Sequence, residues 1–341
     1  MKLQTLHINY TTQNEAFSGI IPISFELFGP RLSEAPIILV NHALTGNSSV
    51  TEENGWWNQL IGDEKCIDTK QYTVLAFNIP GNGYDGFLLE NPEAFSVYDV
   101  VKLFLHAINH LQIERIHAVI GGSLGGSIAW QMAVLRPNLF ENIIPIATDW
   151  KATDWLLANC QVQKQILEHS ENPVHDARIH AMTLYRTPES FKQKFNRSRN
   201  EKLNVFNVES WLLHHGEKLK NRFQLEAYKT MNHLLATVNI TKETGNFLSA
   251  VKNINGNVHL IGVDTDLFFT NKEIKDTYQI YKTIKSNVYY HEINSIHGHD
   301  AFLIEFEQLQ TILQPIFQKK NTNYEYDNHR QKNTREATSV N

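Results

Sequence analysis

The sequence has few cysteines, no long apolar run and no excess of basic residues. Its 341 residues include only two cysteines, Cys66 and Cys160, without metal-like spacing, so neither a disulfide scaffold nor a metal site is expected. No apolar run approaches the roughly 18 residues of a membrane span, so we expect no membrane partner. A net charge of −5 disfavours nonspecific binding to nucleic acid. The first ten residues lack a signal-like apolar stretch, so a cytoplasmic protein is expected.

Short apolar runs alternate with helical segments along much of the chain. Residues 36–41 and 72–77 are continuous apolar runs, which is typical of strands buried in a parallel sheet. Residues 97–111 carry apolar side chains at helical spacing. Such alternation predicts an α/β fold with a doubly wound, mostly parallel sheet, in which ligands bind at the carboxyl ends of the strands.

The alternation stops between residues 150 and 247, where the sequence predicts only helices. We interpret this block as a helical lid inserted into an α/β core formed by residues 1–149 and 248–318. A closing helix is predicted over residues 302–317. Residues 319–341 contain almost no aliphatic side chains, so a disordered tail is expected.

Ser123 is the strongest candidate for a nucleophile. It lies in Gly121-Gly122-Ser123-Leu124-Gly125-Gly126, directly after a β-branched apolar run and before an amphipathic segment. This order predicts a strand, a sharp turn and a helix, with the serine hydroxyl exposed at the helix N-terminus. Small neighbours are needed where the strand and the helix approach each other closely.

A serine hydroxyl needs a base, and the base needs an acid to orient it. In this fold the acid and then the histidine follow the serine along the chain. Asp264 and Asp266 follow a late predicted strand, and His297 and His299 follow the last one. Spacing alone leaves both pairs open.

Two backbone N–H groups are needed to hold an oxyanion in such a site. One comes from Leu124, the residue after the serine, and the other comes from a loop after an early strand. Residues 42–46, His-Ala-Leu-Thr-Gly, form the candidate loop.

Taken together, these motifs resemble the homoserine O-acyltransferases of methionine biosynthesis, a family with the α/β-hydrolase fold. The similarity extends from about residue 37 to residue 317. The pieces that carry it are Asn41-His42-Ala43-Leu44-Thr45-Gly46, Gly55-Trp56-Trp57, the serine motif, Val208-Glu209-Ser210-Trp211-Leu212 and Gly298-His299-Asp300-Ala301-Phe302-Leu303.

The resemblance implies a role for each candidate residue. It favours Asp266 as the acid, His299 as the base, and the N–H groups of Leu44 and Leu124 as oxyanion donors. It also implies that Arg178 binds the carboxylate of an amino-acid substrate and that Asp300 binds its ammonium, with Arg186 as the competing arginine. A guanidinium and a carboxylate suit the two ends of a zwitterion.

The expected reaction is ping-pong transfer of an acetyl group from acetyl-CoA to L-homoserine through a Ser123 ester. Acetyl-CoA is then a co-substrate, and neither a metal nor a resident cofactor is expected. The absence of a second convincing cationic site favours acetyl over succinyl. Succinyl-CoA and L-serine stay open as substrates, and so does an esterase or thioesterase with the same residues. The family resemblance implies a homodimer.

Overall fold

The structure, a computed structural model, describes residues 3–317. The two longest strands come first, and most of the others are short and buried. The strands are β1 (Gln4–Thr11), β2 (Ser18–Phe28), β3 (Ile37–Asn41), β4 (Ile61–Gly62), β5 (Ile67–Asp68), β6 (Thr73–Phe77), β7 (Ile116–Gly122), β8 (Phe140–Ile146), β9 (Arg199–Asn200), β10 (Val205–Phe206), β11 (Asn257–Val263) and β12 (Val288–Ile293).

Eight of these strands form the central sheet, in the order β1-β2-β6-β3-β7-β8-β11-β12. The strands from β6 to β12 in that order pair in parallel, whereas β1, β2 and β6 pair antiparallel. The predicted α/β-hydrolase fold with a mostly parallel sheet is therefore confirmed. Strand β1 was not predicted, although Leu6, Ile8 and Tyr10 alternate along it at the period of a strand.

The sheet is buried on both faces because helices cover each of them. In β3, Ile37 and Leu39 join the apolar core on one face, and Ile38 and Val40 join the core on the other. This pleated alternation explains the continuous apolar run. The helices are α1 (Val97–His110), α2 (Leu124–Leu135), α3 (Asp154–His169), α4 (Pro173–Tyr185), α5 (Pro188–Phe195), α6 (Asn207–Lys220), α7 (Leu225–Ala236), α8 (Phe247–Val251), α9 (Asn271–Lys282) and α10 (Phe306–Phe317).

Helices α3 to α8 form the block inserted between β8 and β11. Local capping sets two of their starts: the hydroxyl of Thr153 accepts from the N–H of Leu156, and that of Thr187 accepts from the N–H of Ser190. The prediction of helices alone was wrong in one place, since β9 and β10 form a short antiparallel hairpin inside the block. Two-residue strands leave no periodic pattern in a sequence.

The predicted closing helix also needs a correction. The chain after β12 forms a 3₁₀ helix over Gly298–Leu303, and α10 begins only at Phe306. Gly298 has a φ of 66°, a left-handed conformation that favours glycine and turns the chain into the 3₁₀ helix. The predicted tail, residues 319–341, lies outside the described residues. Among residues 3–317, no helix combines the length and apolarity that crossing a bilayer requires.

Asp149, just after β8, is a buried acid that the sequence did not single out. Its Oδ1 accepts hydrogen bonds from the N–H of Trp150 and the hydroxyl of Thr277, each at 2.8 Å. Burial nevertheless raises the pKa of this carboxyl to about 7. The folded protein therefore holds a proton on Asp149 at pH values where the unfolded chain has lost it, and stability falls as the pH rises from about 4 through 7.

We expect Asp149→Asn to remove this pH dependence, because an amide needs no proton to stay neutral. The stability of the variant relative to the parent should be greater at pH 8 than at pH 4.5, by at least about 1 kcal/mol. Thermal melts at both pH values test this, with the exposed Asp154→Asn as a control for the change in charge. A parent-like loss of stability at pH 8 in Asp149→Asn would contradict it.

Candidate active site

Ser123 lies in the turn between β7 and α2 in a backbone conformation that is rare for serine. Its φ is 56° and its ψ is −127°. The turn fits because glycines surround it: a Cβ on Gly125 would lie 2.3 Å from the carbonyl oxygen of Asn41, and one on Gly121 would lie 2.5 Å from the backbone of Gly125. The N–H of Ser123 donates to the carbonyl of Ile146 at 2.9 Å, which ties the turn to β8.

A single hydrogen-bonded chain joins Ser123, His299 and Asp266. His299 Nε2 lies 2.9 Å from Ser123 Oγ, and His299 Nδ1 lies 2.7 Å from Asp266 Oδ2. Since an ionised carboxylate only accepts hydrogen bonds, Nδ1 carries the proton and Nε2 is free to accept one from the serine. Asp266 Oδ1 accepts from the N–H groups of Phe268 and Phe269, which fixes the carboxylate in place. This arrangement can generate a serine nucleophile.

The structure separates the two pairs of candidates that spacing left open. Asp264 is exposed, and its Oδ1 accepts from the N–H of Ser295 rather than from a histidine. His297 Nδ1 is hydrogen-bonded to the hydroxyl of Ser190 on α5 at 2.9 Å. Neither residue contacts Ser123, and the chain of contacts runs through Asp266 and His299.

The N–H groups of Leu44 and Leu124 lie on the two segments that flank Ser123, and within residues 3–317 neither donates a hydrogen bond. His42 holds the first segment in place. Its Nδ1 lies 2.7 Å from the carbonyl oxygen of Ala43, and its Nε2 accepts from the N–H of Ile79. Burial lowers the pKa of His42 to about 4, so its ring stays neutral and keeps both contacts.

Arg178 and Asp300 are each linked to His299, the first through the ring of Tyr185 and the second as the next residue in the chain. The guanidinium of Arg178 lies 5.6 Å from the ring centre of Tyr185, and that ring lies 5.4 Å from His299. Asp300 follows His299 directly, and its Oδ2 accepts from Arg186 Nε at 3.0 Å. Of the two candidate arginines, Arg186 is therefore held by Asp300, whereas Arg178 has no carboxylate partner among the described residues.

Arg222 is a residue of this site that the sequence analysis missed. It follows α6, and its Nη1 donates to the carbonyl of Thr45, next to Leu44, at 3.0 Å. Although the residue as a whole is exposed, desolvation of its guanidinium, followed by the nearby charge of Arg178, lowers its pKa. Two arginines thus lie near each other with no ion-paired carboxylate among residues 3–317, which is an arrangement suited to an anion. An isolated arginine after a helix carries no sequence signal, so only the fold reveals it.

A small cavity lies beside Tyr185 and Phe268, whose rings pack near His299, but no triad residue lines it. Its lining includes Leu44, Tyr185 and Phe268 on the side of His299, and Gln163 and Asn232 further inside. Its volume is about 10 Å³, which is room for one water-sized group. Gln163 Oε1 is buried, and among the described residues it has no hydrogen-bond partner.

A larger cavity, of about 860 Å³, opens at the other end of the sheet. Its walls come from the starts of several strands, including Ile37, His117 and Asn142. It contains none of the candidate site residues. Within residues 3–317, no three His, Cys, Asp or Glu side chains are grouped so that they could hold a metal ion.

Comparisons with known proteins agree with this geometry. Residues 36–303 match the family model described as alpha/beta hydrolase fold. The sequence is 34% identical over 308 residues to a homoserine O-acetyltransferase of Cyclobacterium marinum, covering 84% of this chain and 86% of that protein. Among solved structures, the homoserine O-acetyltransferase from Bacillus anthracis superposes with a TM-score of 0.83 at 20% identity, covering 94% of this chain and 98% of that one.

Esterase E22 superposes almost as well, with a TM-score of 0.82 at 17% identity, covering 93% of this chain and 100% of that one. The fold and the serine, histidine and aspartate chain define an enzyme of the α/β-hydrolase superfamily. Within that superfamily the chain belongs to the homoserine O-acetyltransferase family, and it is an acyltransferase by class.

The geometry predicts that Ser123 is reactive toward a fluorophosphonate, because His299 Nε2 can take its proton. We expect one covalent adduct per chain, located at Ser123 by peptide mass spectrometry. Ser123→Ala should lose the adduct, and Ser127→Ala should keep it, since the Ser127 hydroxyl is buried against Thr148. Labelling of the Ser123→Ala variant at the parental rate would show that another residue is the nucleophile.

Proposed function

We propose that the enzyme transfers an acetyl group from acetyl-CoA to the hydroxyl of L-homoserine by a ping-pong mechanism. The observation that carries the proposal is the hydrogen-bonded chain of Ser123, His299 and Asp266, together with two arginines, Arg178 and Arg222, that have no ion-paired carboxylate among residues 3–317. The names of the relatives support the same substrates. An acyl-activated homoserine would serve methionine biosynthesis.

In the first half-reaction, Ser123 Oγ attacks the carbonyl carbon of the thioester while His299 Nε2 takes its proton. The N–H groups of Leu44 and Leu124 would then hold the negative oxygen of the tetrahedral intermediate. When the carbon–sulfur bond breaks, the proton on His299 passes to the thiolate and CoA leaves as a thiol. An acetyl ester remains on Ser123.

In the second half-reaction, the hydroxyl of homoserine gives its proton to His299 Nε2 and attacks the ester carbonyl. The second intermediate collapses by breaking the bond to Ser123 Oγ, which recovers the proton from His299. The product is O-acetylhomoserine and free enzyme. Asp266 stays ionised throughout and stabilises the imidazolium that forms in each half-reaction.

The acceptor would bind as a zwitterion between the lid and His299. Arg178 and Arg222 suit its carboxylate, because a guanidinium donates two parallel hydrogen bonds. Asp300 suits its ammonium: Oδ2 is engaged by Arg186, whereas Oδ1 accepts no hydrogen bond from another residue between 3 and 317. A plain esterase has no need for such a set of charges, which favours transfer over hydrolysis.

The proposal that the donor carries an acetyl and not a succinyl group is supported by a different observation from the one used in the sequence analysis. The sequence argument was that the chain has no second convincing cationic site for a succinyl carboxylate. That argument does not hold, because Arg222 is a second arginine without an ion pair in the described part of the chain. The names of the relatives, which are homoserine O-acetyltransferases, instead support an acetyl donor.

Release of CoA by the purified enzyme tests the proposal. We expect release from acetyl-CoA to depend on L-homoserine and to yield O-acetylhomoserine, with succinyl-CoA and L-serine much poorer substrates. Equal release without any amino acid would identify a thioesterase. Transfer from succinyl-CoA in preference would refute the acetyl donor and leave the acceptor standing.

Replacing the carboxylate-binding arginine should separate the two half-reactions. We expect Arg178→Gln to raise the KM for homoserine by about tenfold or more, because charge-assisted hydrogen bonds to the substrate are lost. Acetylation of Ser123, followed as a burst of CoA in rapid mixing, should keep its parental rate. Arg136→Gln, a change at an arginine outside this site, is the matched control. An equal loss in both half-reactions would contradict the role of Arg178.

A further inference from the structure

The lid carries a concentration of positive charge that the proposed reaction has not used. Residues 192–202, here called the basic segment, hold five cationic side chains and one acidic one, in a chain whose net charge is −5. The five cations are Lys192, Lys194, Arg197, Arg199 and Lys202. The basic segment runs from the end of α5 into the β9–β10 hairpin.

Most of these cations have no carboxylate to neutralise them. Lys192 lies 3.8 Å from Glu189, and the other four form no ion pair with any residue between 3 and 317. Three of these four lie over aromatic rings instead: Lys194 Nζ is 5.1 Å from the ring centre of Trp211, and the guanidinium groups of Arg197 and Arg199 are 5.5 Å and 4.9 Å from that of Phe206. A surface of unpaired cations and aromatic rings can bind phosphates and a purine.

A continuous set of contacts links the basic segment to the triad. Lys194 Nζ lies 5.1 Å from the ring centre of Trp211, and the guanidinium of Arg186 lies 6.0 Å from the same ring centre. Arg186 in turn donates to Asp300, the residue after His299. A ligand that reaches from Ser123 past Asp300 and along Trp211 therefore arrives at the basic segment.

We propose that the basic segment binds the 3′-phosphate and the diphosphate of the CoA donor. This rests on the proposed use of an acyl-CoA. The donor has its reactive thioester at one end of a long flexible arm and about four negative charges at the other. The thioester would lie at Ser123, the arm would pass along Arg186 and Trp211, and the phosphates would contact Lys194, Arg197 and Arg199. Because the donor is negatively charged and the basic segment is positively charged, electrostatic attraction would also speed their association.

The alternative is that the basic segment is an ordinary solvated surface. Exposed lysines and arginines often contribute nothing specific, and Arg199 also braces the hairpin through the backbone and side chain of Asn204. Lys194 and Arg197 are exposed and make no hydrogen bond to another described side chain, so changing them tests binding rather than folding.

The test compares the double variant Lys194→Glu/Arg197→Glu with a control of equal charge change, Lys252→Glu/Lys285→Glu, at an exposed and a partly exposed lysine of the core. Two donors are used: acetyl-CoA and acetylpantetheine, which has the same thioester and no phosphates. Binding of 3′,5′-ADP, the phosphate-bearing end of the donor, is measured by calorimetry on all three proteins without any reaction.

We expect the KM for acetyl-CoA to rise about tenfold or more in Lys194→Glu/Arg197→Glu, with the KM for acetylpantetheine and for homoserine unchanged. Binding of 3′,5′-ADP should weaken by a similar factor, and the control should resemble the parent in every measurement. Added salt should weaken the parent's use of acetyl-CoA more than that of the double variant.

The outcomes separate this inference from the proposed function. If 3′,5′-ADP binds the parent and not the double variant, while no acetyl is transferred to homoserine, the phosphate site stands and the proposed reaction fails. If transfer to homoserine occurs and the double variant keeps the parental KM for acetyl-CoA, the reaction stands and the phosphate site is elsewhere. Failure of the parent to bind 3′,5′-ADP at millimolar concentration would also overturn the inference.

Discussion

The backbone at Ser123 is the constraint on which the rest of the site depends. A serine at a φ of 56° is strained, and it is kept there because Gly125 lets α2 approach Asn41 and because β8 accepts the Ser123 N–H. The strain lifts Oγ toward His299 and leaves the N–H of Leu124 unused. The nucleophile and one oxyanion donor are thus consequences of a single turn, and the parallel sheet supplies the base and the other partners at the same edge.

In the proposed reaction, the helical block between β8 and β11 adds recognition to this reactive core. A serine activated by histidine and aspartate serves hydrolysis and transfer alike, and similar folds occur in an esterase and in homoserine O-acetyltransferases. The charges that would provide this recognition come from both parts of the chain: Arg178 and Arg222, which have no ion-paired carboxylate among residues 3–317, lie in that block, and Asp300, which Arg186 contacts, follows His299 in the core. Burial keeps His42 neutral, so the loop that carries Leu44 holds its shape across the physiological pH range.

Features with a local cause could be predicted from the sequence. The strands are continuous apolar runs, and the Ser123 turn has its glycines at fixed offsets, so both the sheet and the nucleophile were visible. The choice of His299 over His297 needed the family resemblance, because both follow β12. Arg222 and the β9–β10 hairpin had no local signal, since contacts between distant segments create them. Strand β1 did have a signal, in Leu6, Ile8 and Tyr10, that the analysis passed over.

The central claim is that an acyl group rests on Ser123 between the two substrates. Intact-protein mass spectrometry after rapid mixing with acetyl-CoA, without an acceptor, tests it most directly. The account predicts a mass gain of one acetyl group, located at Ser123 by peptide analysis and lost within one turnover when L-homoserine is added. An enzyme that forms O-acetylhomoserine at full rate with no acetylated Ser123 at any time would contradict it.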